Sequence, residues 1–431
     1  MRVTLRAIRS FPVVRSIQET APGLDDLLLD VVTVIELSDH DREVADNRYR
    51  RLKPHLERPS STLRELLLNN SCLIYAQGSM AIGATIIGGA EDEDRFDVDA
   101  LVDVAVPAHW SNDEALDQLY KALQGFPDVQ KIVRCTRCVQ LQWTFMHMDV
   151  TMLDPMADPR PERVGEIFHS PDIGASYRVP SNPYGFGLWF RKNVTYPTQK
   201  FLDEVKSRRR SFAIDRLPSM MAMDKAEQER LPPVVPPRVD AQQVHALKLM
   251  KRYLNLRYER RGIKRPPSIY FTKLSVTCGY EPLGLTAQLE RFAAKIRIEM
   301  DAAFAANNGP HETNPAYEVE QLNDRWPTTQ ADRKMLADDM VALLEGLQKA
   351  REAEIKDVVA VLSDLFGERV SKRTLDAFNK RVDQRSERRT LHFERGTGAI
   401  IPATAVAAPA VARSAVEVPR HNFHCEDDHE D

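Results

Sequence analysis

The chain has 431 residues, and its 59 Lys and Arg residues against 63 Asp and Glu residues leave a formal charge of −4. This near balance argues against a protein that coats nucleic acid, because such proteins carry an overall basic excess; no stable nucleic-acid partner is expected. With 43% hydrophobic residues and no apolar run of about 18 residues, the composition excludes a wholly disordered chain and a transmembrane helix.

The cysteines and the N-terminus predict the compartment. Five scattered cysteines, an odd number, are typical of a reduced environment rather than of a disulfide framework. The basic N-terminus lacks the apolar core and cleavage site of a secretory signal. We therefore expect a cytoplasmic protein with no membrane contact. Cys135 and Cys138 form a lone pair on a predicted strand, and neither zinc nor redox chemistry is expected of them.

The first hundred residues predict helices and one strand. Residues 24–37 fit either a strand or a buried helix. Ser38 and the acids after it are typical of a helix N-cap, ahead of an amphipathic helix that reaches residue 57. A second helix is predicted over residues 63–70, and a short strand follows it that ends in Gly78-Ser79.

Strands and helices then alternate. Acids fill a loop at residues 91–95, an apolar-alternating strand starts at Phe96, and a helix over 112–124 ends at Gly125. Two strands are expected within 129–153, so the core is α/β or α+β, and α+β is preferred. Residues 154–197 are rich in Pro and Gly, and the basic, Pro-rich residues 206–240 predict an exposed crossover.

The rest of the chain is predicted to be helical. After residue 241, helices are expected at 286–306, 329–350, 352–366 and 371–387, and a low-complexity, disordered tail from about 396. The sequence therefore predicts a bilobal molecule. Its segments are an N-terminal segment (1–37), a mixed lobe (38–205), the crossover (206–240), a helical lobe (241–395) and the tail (396–431).

Three acidic residues in the mixed lobe carry the strongest functional signal. Asp97 and Asp99 are two residues apart on a predicted strand and therefore point to one face, and Asp149 lies on a later strand. Clustered carboxylates repel one another unless a cation neutralises them, and Mg²⁺ prefers such oxygen ligands. Two ions so held can stabilise both oxygens of a phosphoryl-type transfer. Gly78-Ser79 offers close backbone approach and a hydroxyl to a phosphate.

The order Gly-Ser, Asp-x-Asp, Asp resembles the polymerase-β-type nucleotidyltransferases. The helix HALKLMKRYLN and the following PPSIYFTKLSV are similar to the part of the cGAS/DncV-like enzymes, the CD-NTase family, that faces the donor nucleotide. By this resemblance Lys251 is the triphosphate-binding lysine and Ser268 contacts phosphate. Gln77, Gly78 and Ser79 likewise fit the family's nucleotide-binding run, and residues 38–205 its catalytic lobe.

The resemblance implies a metal-dependent enzyme. Asp97, Asp99 and Asp149 would be both catalytic and metal-binding, with two Mg²⁺ or Mn²⁺ ions. The enzyme would join nucleoside triphosphates, ATP among them, into a cyclic di- or trinucleotide messenger of the anti-phage (CBASS) type. Its partners would be an accessory regulator and an effector that binds the product. Two alternatives stay open: a linear nucleotidyltransferase acting on RNA or a protein, and a silent nucleotide-binding scaffold.

Other charged residues are interpreted as structural. The stretch 248–265 carries eight Lys and Arg against one Glu, yet most of these are expected on a solvated helix surface; they are Lys248, Arg252, Arg257 and Arg260. Arg208, Arg209 and Arg210 are expected in a solvated loop, and Asp103 in a structural role. The sequence departs from the family at Gly83-Ala84-Thr85, where Gly-Thr is usual, so one hydroxyl contact is displaced or lost.

Overall fold

The computed structural model describes residues 22–88, 95–156, 163–216, 240–327, 329–353, 355–387, 391–394, 400–402 and 415–417. Within these ranges the chain forms two hydrophobic cores, one under a mixed β-sheet and one among packed helices. None of the helices in these ranges combines the length and the apolar composition needed to cross a membrane.

The sheet is built on a parallel central pair of strands. Its strands are β1 (Leu73–Gln77), β2 (Phe96–Asp103), β3 (Lys131–Arg134), β4 (Val139–Gln142), β5 (Met146–Pro155), β6 (Gly165–His169) and β7 (Tyr177–Ser181). The order is β1-β2-β5-β4-β3, and β6 extends from the far end of β5 to β7. Only β2 and β5 run parallel, so the sheet is mixed, and the expected α+β class is confirmed.

Short helices cover the sheet. They are α2 (Asp39–Arg50), α3 (Leu52–Leu56), α4 (Arg64–Asn69), α5 (Gly78–Ala81), α6 (Asn112–Leu123) and α7 (Pro183–Asn193). Ser38 and Asp41 form a reciprocal capping box at α2, as the sequence predicted. Gly125, after α6, has φ +72°, the left-handed conformation that favours glycine at a helix end.

The helical lobe includes the N-terminal helix. Its members are α1 (Pro22–Ile35), α8 (Gln199–Arg216), α9 (Gln242–Arg260), α10 (Ser268–Thr277), α11 (Leu285–Ala305), α12 (Gln330–Glu352), α13 (Ile355–Phe366) and α14 (Glu368–Glu387). Leu28, Val31 and Val32 on α1 are fully buried in the same core as Leu247 of α9 and Phe366 of α13. The undecided segment 24–37 is therefore mostly a buried helix that belongs to the C-terminal lobe.

Several expectations need correction. The stretch 129–153 holds three strands rather than two, because the turn at Cys135–Cys138 splits the first into a hairpin. The crossover begins inside α8, which continues to Arg216, and residues 217–239 lie outside the described ranges. Residues 313–314 and 317–321 pair as β8 (Thr313–Asn314) and β9 (Tyr317–Gln321). The tail expected to be disordered contains β11 (Ile400–Pro402) and β12 (Ala415–Glu417), which pair with β10 (Leu391–Glu394).

Candidate active site

Strand register places the three aspartates on one edge of a cleft. Asp99 on β2 lies directly opposite Asp149 on the parallel strand β5, and Asp97 lies opposite His147. All four side chains line the same cleft, because residues two apart on a strand share a face. The intervening Val98 and Met148 are buried in the core on the other face. The sheet therefore positions the acids through its core packing.

Gly78 allows the backbone to approach Asp99. Its φ is +58°, and a Cβ placed there would lie 2.2 Å from Asp99 Oδ2, far inside contact distance. Any larger residue would displace the carboxylate, and the left-handed conformation adds strain for a side chain. Gln77, the last residue of β1, lies opposite Asp99 in the antiparallel register and precedes the turn into α5.

The aspartates are poorly compensated. Burial, then the Asp149 and Asp97 carboxylates, raise the pKa of Asp99 to about 7, and the more distant Lys251 and Arg265 only partly oppose this. Burial also raises the pKa of Asp149, while Gln140 Nε2 donates a hydrogen bond to its Oδ1 at 2.8 Å. Among the described residues, the three aspartates have one contact with a side chain that can become cationic: His147 Nδ1 lies 3.6 Å from Asp97 Oδ1.

These oxygens fit a divalent cation. Carboxylate oxygen is the preferred ligand of Mg²⁺, and added positive charge would lower the raised pKa values of Asp99 and Asp149. Within the described ranges, however, no three acidic, imidazole or thiol side chains already converge to metal-binding distance. The aspartates line the cleft without being drawn around a common point, so ion binding would require small side-chain movements.

The helical lobe adds cationic and hydroxyl side chains to the cleft. The cleft has a volume of about 640 Å³, and Lys251 of α9 and Ser268, the first residue of α10, line it together with the aspartates. Lys251 Nζ donates to the Ala84 carbonyl at 2.9 Å. Burial and then the neighbouring Arg265 lower the pKa of Lys251 to about 7. The cleft therefore holds, besides the acids, a buried lysine that makes no ion pair in the described chain.

Thr85 supplies a hydroxyl to the cleft beside Ser79. Its Oγ1 lies 3.2 Å from Ser79 Oγ, and both residues line the cleft. The Ala84 amide donates to the Ser79 carbonyl at 2.9 Å, which closes the turn that brings the two hydroxyls together. The expected hydroxyl contact is therefore displaced by one residue along the chain and still reaches the site.

Four cleft residues escaped the sequence reasoning. They are His147, Asn255 and Arg265, which line the cleft, and Gln140, which holds Asp149. Arg265 donates to Asn255 Oδ1, which fixes the guanidinium at the end of the basic run. That run was visible in the sequence, but which of its members reaches the cleft depends on the turn between α9 and α10. Gln140 could have been found from the alternation of β4, which aligns it with the face of Asp149.

The predicted solvated cations are mostly buried. Lys248 is 1% exposed and donates to Glu36 Oε1 at 2.6 Å, and Arg252 donates to the Phe366 carbonyl at 2.9 Å. Arg257 is half-buried 3.4 Å from Asp339, so only Arg260 matches the expectation of a solvated surface. The expectation was wrong because the acids and carbonyls that accept from these cations come from distant parts of the chain.

The expected basic loop is also a helix with buried arginines. Arg208 on α8 is 5% exposed and donates to Asp30 Oδ1 at 2.9 Å. Arg209 makes paired hydrogen bonds to Glu36 at 2.8 and 2.9 Å. These residues hold α8 against α1, whereas Arg210 is exposed and donates only to a carbonyl of its own helix. Asp103, expected to be structural, is buried and pairs with Arg163 at 2.6 Å.

The loop 89–94, with its run of acids, lies outside the described residues. On α7, the aromatic side chains of Phe186 and Phe190 are buried.

The chain is similar in sequence or structure to enzymes from two bacteria. No family model matches the chain. The cyclic dinucleotide synthase CdnG of Bradyrhizobium diazoefficiens is 30% identical over 408 residues, covering 92% of each chain. The structure of that CD-NTase in complex with GTP matches with a TM-score of 0.70 over 83% of this chain and 99% of that one. DncV cyclic AMP-GMP synthase of Vibrio cholerae, with a linear intermediate, matches with a TM-score of 0.48 at 16% identity, over 81% of this chain and 82% of that one.

Proposed function

Because the chain belongs to the CD-NTase family of nucleotidyltransferases, we propose that it joins two or three nucleoside triphosphates into a cyclic oligonucleotide and releases pyrophosphate. A cyclic dinucleotide is the preferred product, since a relative that covers 92% of the chain is a cyclic dinucleotide synthase. One arrangement carries the proposal: Asp97, Asp99 and Asp149 line a single cleft together with Lys251 and Ser268.

The aspartates hold the reacting end of the substrates. Bound divalent cations, two in this proposal, neutralise phosphate charge and lower the barrier to transfer. Asp97 and Asp99 on β2 would hold these ions at the phosphates of the donor. Asp149, one strand away and oriented by Gln140, lies where it can accept the proton of the attacking ribose hydroxyl.

The hydroxyl and cationic side chains of the cleft hold the leaving phosphates. Ser79 and Thr85 present two hydroxyls, and Lys251 presents an ammonium group that is held in the cleft by its hydrogen bond to the Ala84 carbonyl. Ser268 adds a hydroxyl and Arg265 a guanidinium to the same cleft. Catalysis by these groups is mostly positioning and charge stabilisation, as in other phosphoryl transfers.

In one round, the ribose hydroxyl of the acceptor attacks the α-phosphorus of the donor. A phosphodiester bond forms, the bond to pyrophosphate breaks, and the hydroxyl proton leaves. The linear product then turns round, and its own triphosphate becomes the donor for ring closure. We propose that the product serves as a signal in anti-phage defence, read by an effector protein, and that an accessory protein regulates synthesis.

The test is product analysis. Purified protein is incubated with four labelled triphosphates and Mg²⁺ or Mn²⁺, treated with phosphatase and analysed by mass spectrometry. We expect a phosphatase-resistant cyclic species that is absent after chelation and in Asp97→Asn. The control variant is Asp338→Asn, which removes an exposed carboxylate paired only with Lys334 on its own helix.

Two outcomes would contradict the proposal. A product with phosphatase-sensitive ends at every time point would indicate a linear nucleotidyltransferase. Synthesis at full rate by Asp97→Asn would show that Asp97 is neither a metal ligand nor a catalytic residue.

A further inference from the structure

Strand β4 carries two amide side chains beside the strand of Asp149. Gln140 and Gln142 are two residues apart and share one face of the sheet, while Leu141 between them is fully buried in the core on the other face. In the antiparallel β4–β5 register, Gln140 lies opposite Asp149 and Gln142 lies opposite His147. The two amides therefore lie in a row next to the strand that supplies the third aspartate.

The two amides form a chain of hydrogen bonds that ends on the Asp149 carboxylate. Gln142 Nε2 donates to Gln140 Oε1 at 2.6 Å, and Gln140 Nε2 donates to Asp149 Oδ1 at 2.8 Å. An ionised carboxylate only accepts hydrogen bonds, so Gln140 has to present its NH₂ group to Asp149. The carbonyl oxygen of Gln140 is then directed away from the aspartate and requires a donor, and Gln142 supplies it.

Gln142 thereby determines which end of the Gln140 amide faces the aspartate. The two ends of an amide have nearly the same shape and differ in polarity, so packing alone does not distinguish the two orientations. The hydrogen bond from Gln142 favours the orientation that directs the NH₂ group to Asp149. In the reversed orientation, the carbonyl oxygen of Gln140 would face a carboxylate oxygen, and the two would repel each other.

The glutamines act from behind the cleft. Among the described residues, Asp149 and His147 line the cleft, whereas Gln140 and Gln142 do not. Both glutamines are half-buried, and a surrounding of low dielectric strengthens each hydrogen bond in such a chain. An effect of Gln142 on a ligand in the cleft therefore passes through a residue that lines it.

We propose that Gln142 is a positioning residue of this active site, which orients the Gln140 amide so that Gln140 can hold Asp149 Oδ1. This inference rests on the proposed function, in which Asp149 binds a cation and accepts the proton of the attacking hydroxyl. With Oδ1 held, rotation of the carboxylate is restricted. Groups that orient a metal-binding carboxylate in this way typically change metal affinity or activity by about tenfold to a hundredfold.

A role through His147 is the alternative, since Gln142 lies opposite that residue in the register. The hydrogen bond that Gln142 makes goes to Gln140, which favours the path to Asp149. The two paths predict different results when Gln140 is removed, so a double-mutant cycle distinguishes them.

The experiment compares substitutions that change polarity and keep size. Gln140→Met removes the group that holds Asp149 and should decrease kcat about tenfold or more. Gln142→Met leaves the Gln140 amide free to rotate and should decrease kcat about threefold, the value of a weak hydrogen bond. Gln142→Glu offers only acceptors, so it holds Gln140 in the reversed orientation and should decrease kcat at least as much as Gln140→Met.

Two features separate positioning from a structural role. KM for the triphosphates should stay level in all three variants, because none of the substituted residues lines the cleft. In the Gln140→Met background, Gln142→Glu should change kcat by less than about twofold, since the amide that it reverses is gone. The matched control is Gln130→Met, which removes an exposed glutamine that donates to Thr144 Oγ1 at 2.7 Å and should change nothing.

Three results would overturn the inference. Gln142→Glu with the activity of the wild type would show that the orientation of Gln140 does not matter. An effect of Gln142→Glu that persists undiminished in the Gln140→Met background would assign Gln142 to His147 or to the added charge. A decrease in the free energy of unfolding and a loss of nucleotide binding, in place of a loss of kcat, would show a structural role.

A binding measurement separates this inference from the proposed function. Mn²⁺ alone is titrated into the protein, and the free ion is followed by EPR. Gln140→Met and Gln142→Glu should each weaken Mn²⁺ binding about tenfold, and the double variant no further. A wild type that shows this coupling but forms no product would refute the proposed function alone. A wild type that forms the cyclic product, with additive effects of the two substitutions on Mn²⁺ binding, would refute the role of Gln142 alone.

Discussion

Two groups of carboxylates in this molecule differ in how their charge is compensated. In the Glu36 cluster, Glu36 and Asp240 face Arg209 and Lys248, with His245 beside them. Burial alone would raise the pKa of Glu36, but Lys248 and Arg209 hold it well below its usual range. In the active site, burial and two neighbouring carboxylates raise the pKa of Asp99 instead.

This difference distinguishes a cluster that stabilises the fold from a site that binds a ligand. The Glu36 cluster has two acids and two cations in direct contact, so it is complete without a ligand, and it fastens α1, α8 and α9 together. The aspartates have no guanidinium or ammonium group in contact among the described residues, so a bound cation would supply the missing positive charge. Unequal compensation therefore marks the site that binds something.

The largest effect is expected at Asp99. Asp99→Asn should decrease kcat by about 1,000-fold or more, since loss of a metal ligand removes several kcal/mol of transition-state stabilisation. The free energy of unfolding of the protein without ligands should stay level or increase, because one repelling carboxylate is gone. Steady-state synthesis and chemical denaturation give the two values. A large loss of stability would mean that Asp99 is structural, like Glu36.

Two lysines on α9 test the comparison next. Lys248→Met breaks a buried ion pair and should decrease the free energy of unfolding by about 3–5 kcal/mol, with activity per folded molecule retained. Lys251→Met is the matched variant, since this lysine is also buried but makes no ion pair in the described chain. Lys251→Met should decrease the free energy of unfolding much less than Lys248→Met does, and it should abolish most of the activity. Equal destabilisation by both changes would contradict the assignment.

The third prediction concerns pH. Burial, then Lys248, lower the pKa of the fully buried His245 from 6.5 to about 4. Between these values the unfolded chain binds a proton that the folded protein does not, so stability decreases as the pH falls from about 6.5 towards 4. His245→Gln should flatten this part of the curve in denaturation measured at several pH values. An unchanged slope would show that other histidines cause it.

The smallest effect is expected at Thr85. Thr85→Ala removes the hydroxyl next to Ser79 and should decrease kcat/KM about fivefold to tenfold, the value of about one hydrogen bond, with little change in stability. Thr85→Ser keeps the hydroxyl and is the matched control, which should retain most of the activity. If the serine variant is as impaired as the alanine variant, the methyl group rather than the hydroxyl matters.

The sequence predicted the parts of the site that follow from local periodicity. The two-residue spacing of Asp97 and Asp99 is enough to place both on one face, and Gly78-Ser79 follows from its position at a strand end. Whether Asp149 joins them depends on a parallel register with residues about 50 positions earlier. That placement was inferred from the pattern of strands and carboxylates, whereas Lys251 and Ser268 came from the family resemblance.

Long-range pairing explains what the sequence did not predict. The segment 24–37 was undecided because α1 is apolar on most sides, so it lacks the one-sided stripe of a surface helix. The basic face of α9 was interpreted as solvated because the partner of Lys248, Glu36, is 212 residues away. Charged residues on a helix look alike in sequence whether they meet water or a distant acid.

The position of α1 has a consequence for synthesis on the ribosome. Arg381 of α14 donates to Asp30 of α1 at 2.7 Å across 351 residues, and the Ile87 amide, two residues beyond Thr85, donates to the Ile35 carbonyl at the end of α1 at 2.8 Å. Of the helices that the structure describes, α1 is the first to emerge, and it must wait for α14, the last of them, before its core can close. Because the segment that carries Thr85 is attached to that helix, a nascent chain should gain its activity only after α14 has been translated.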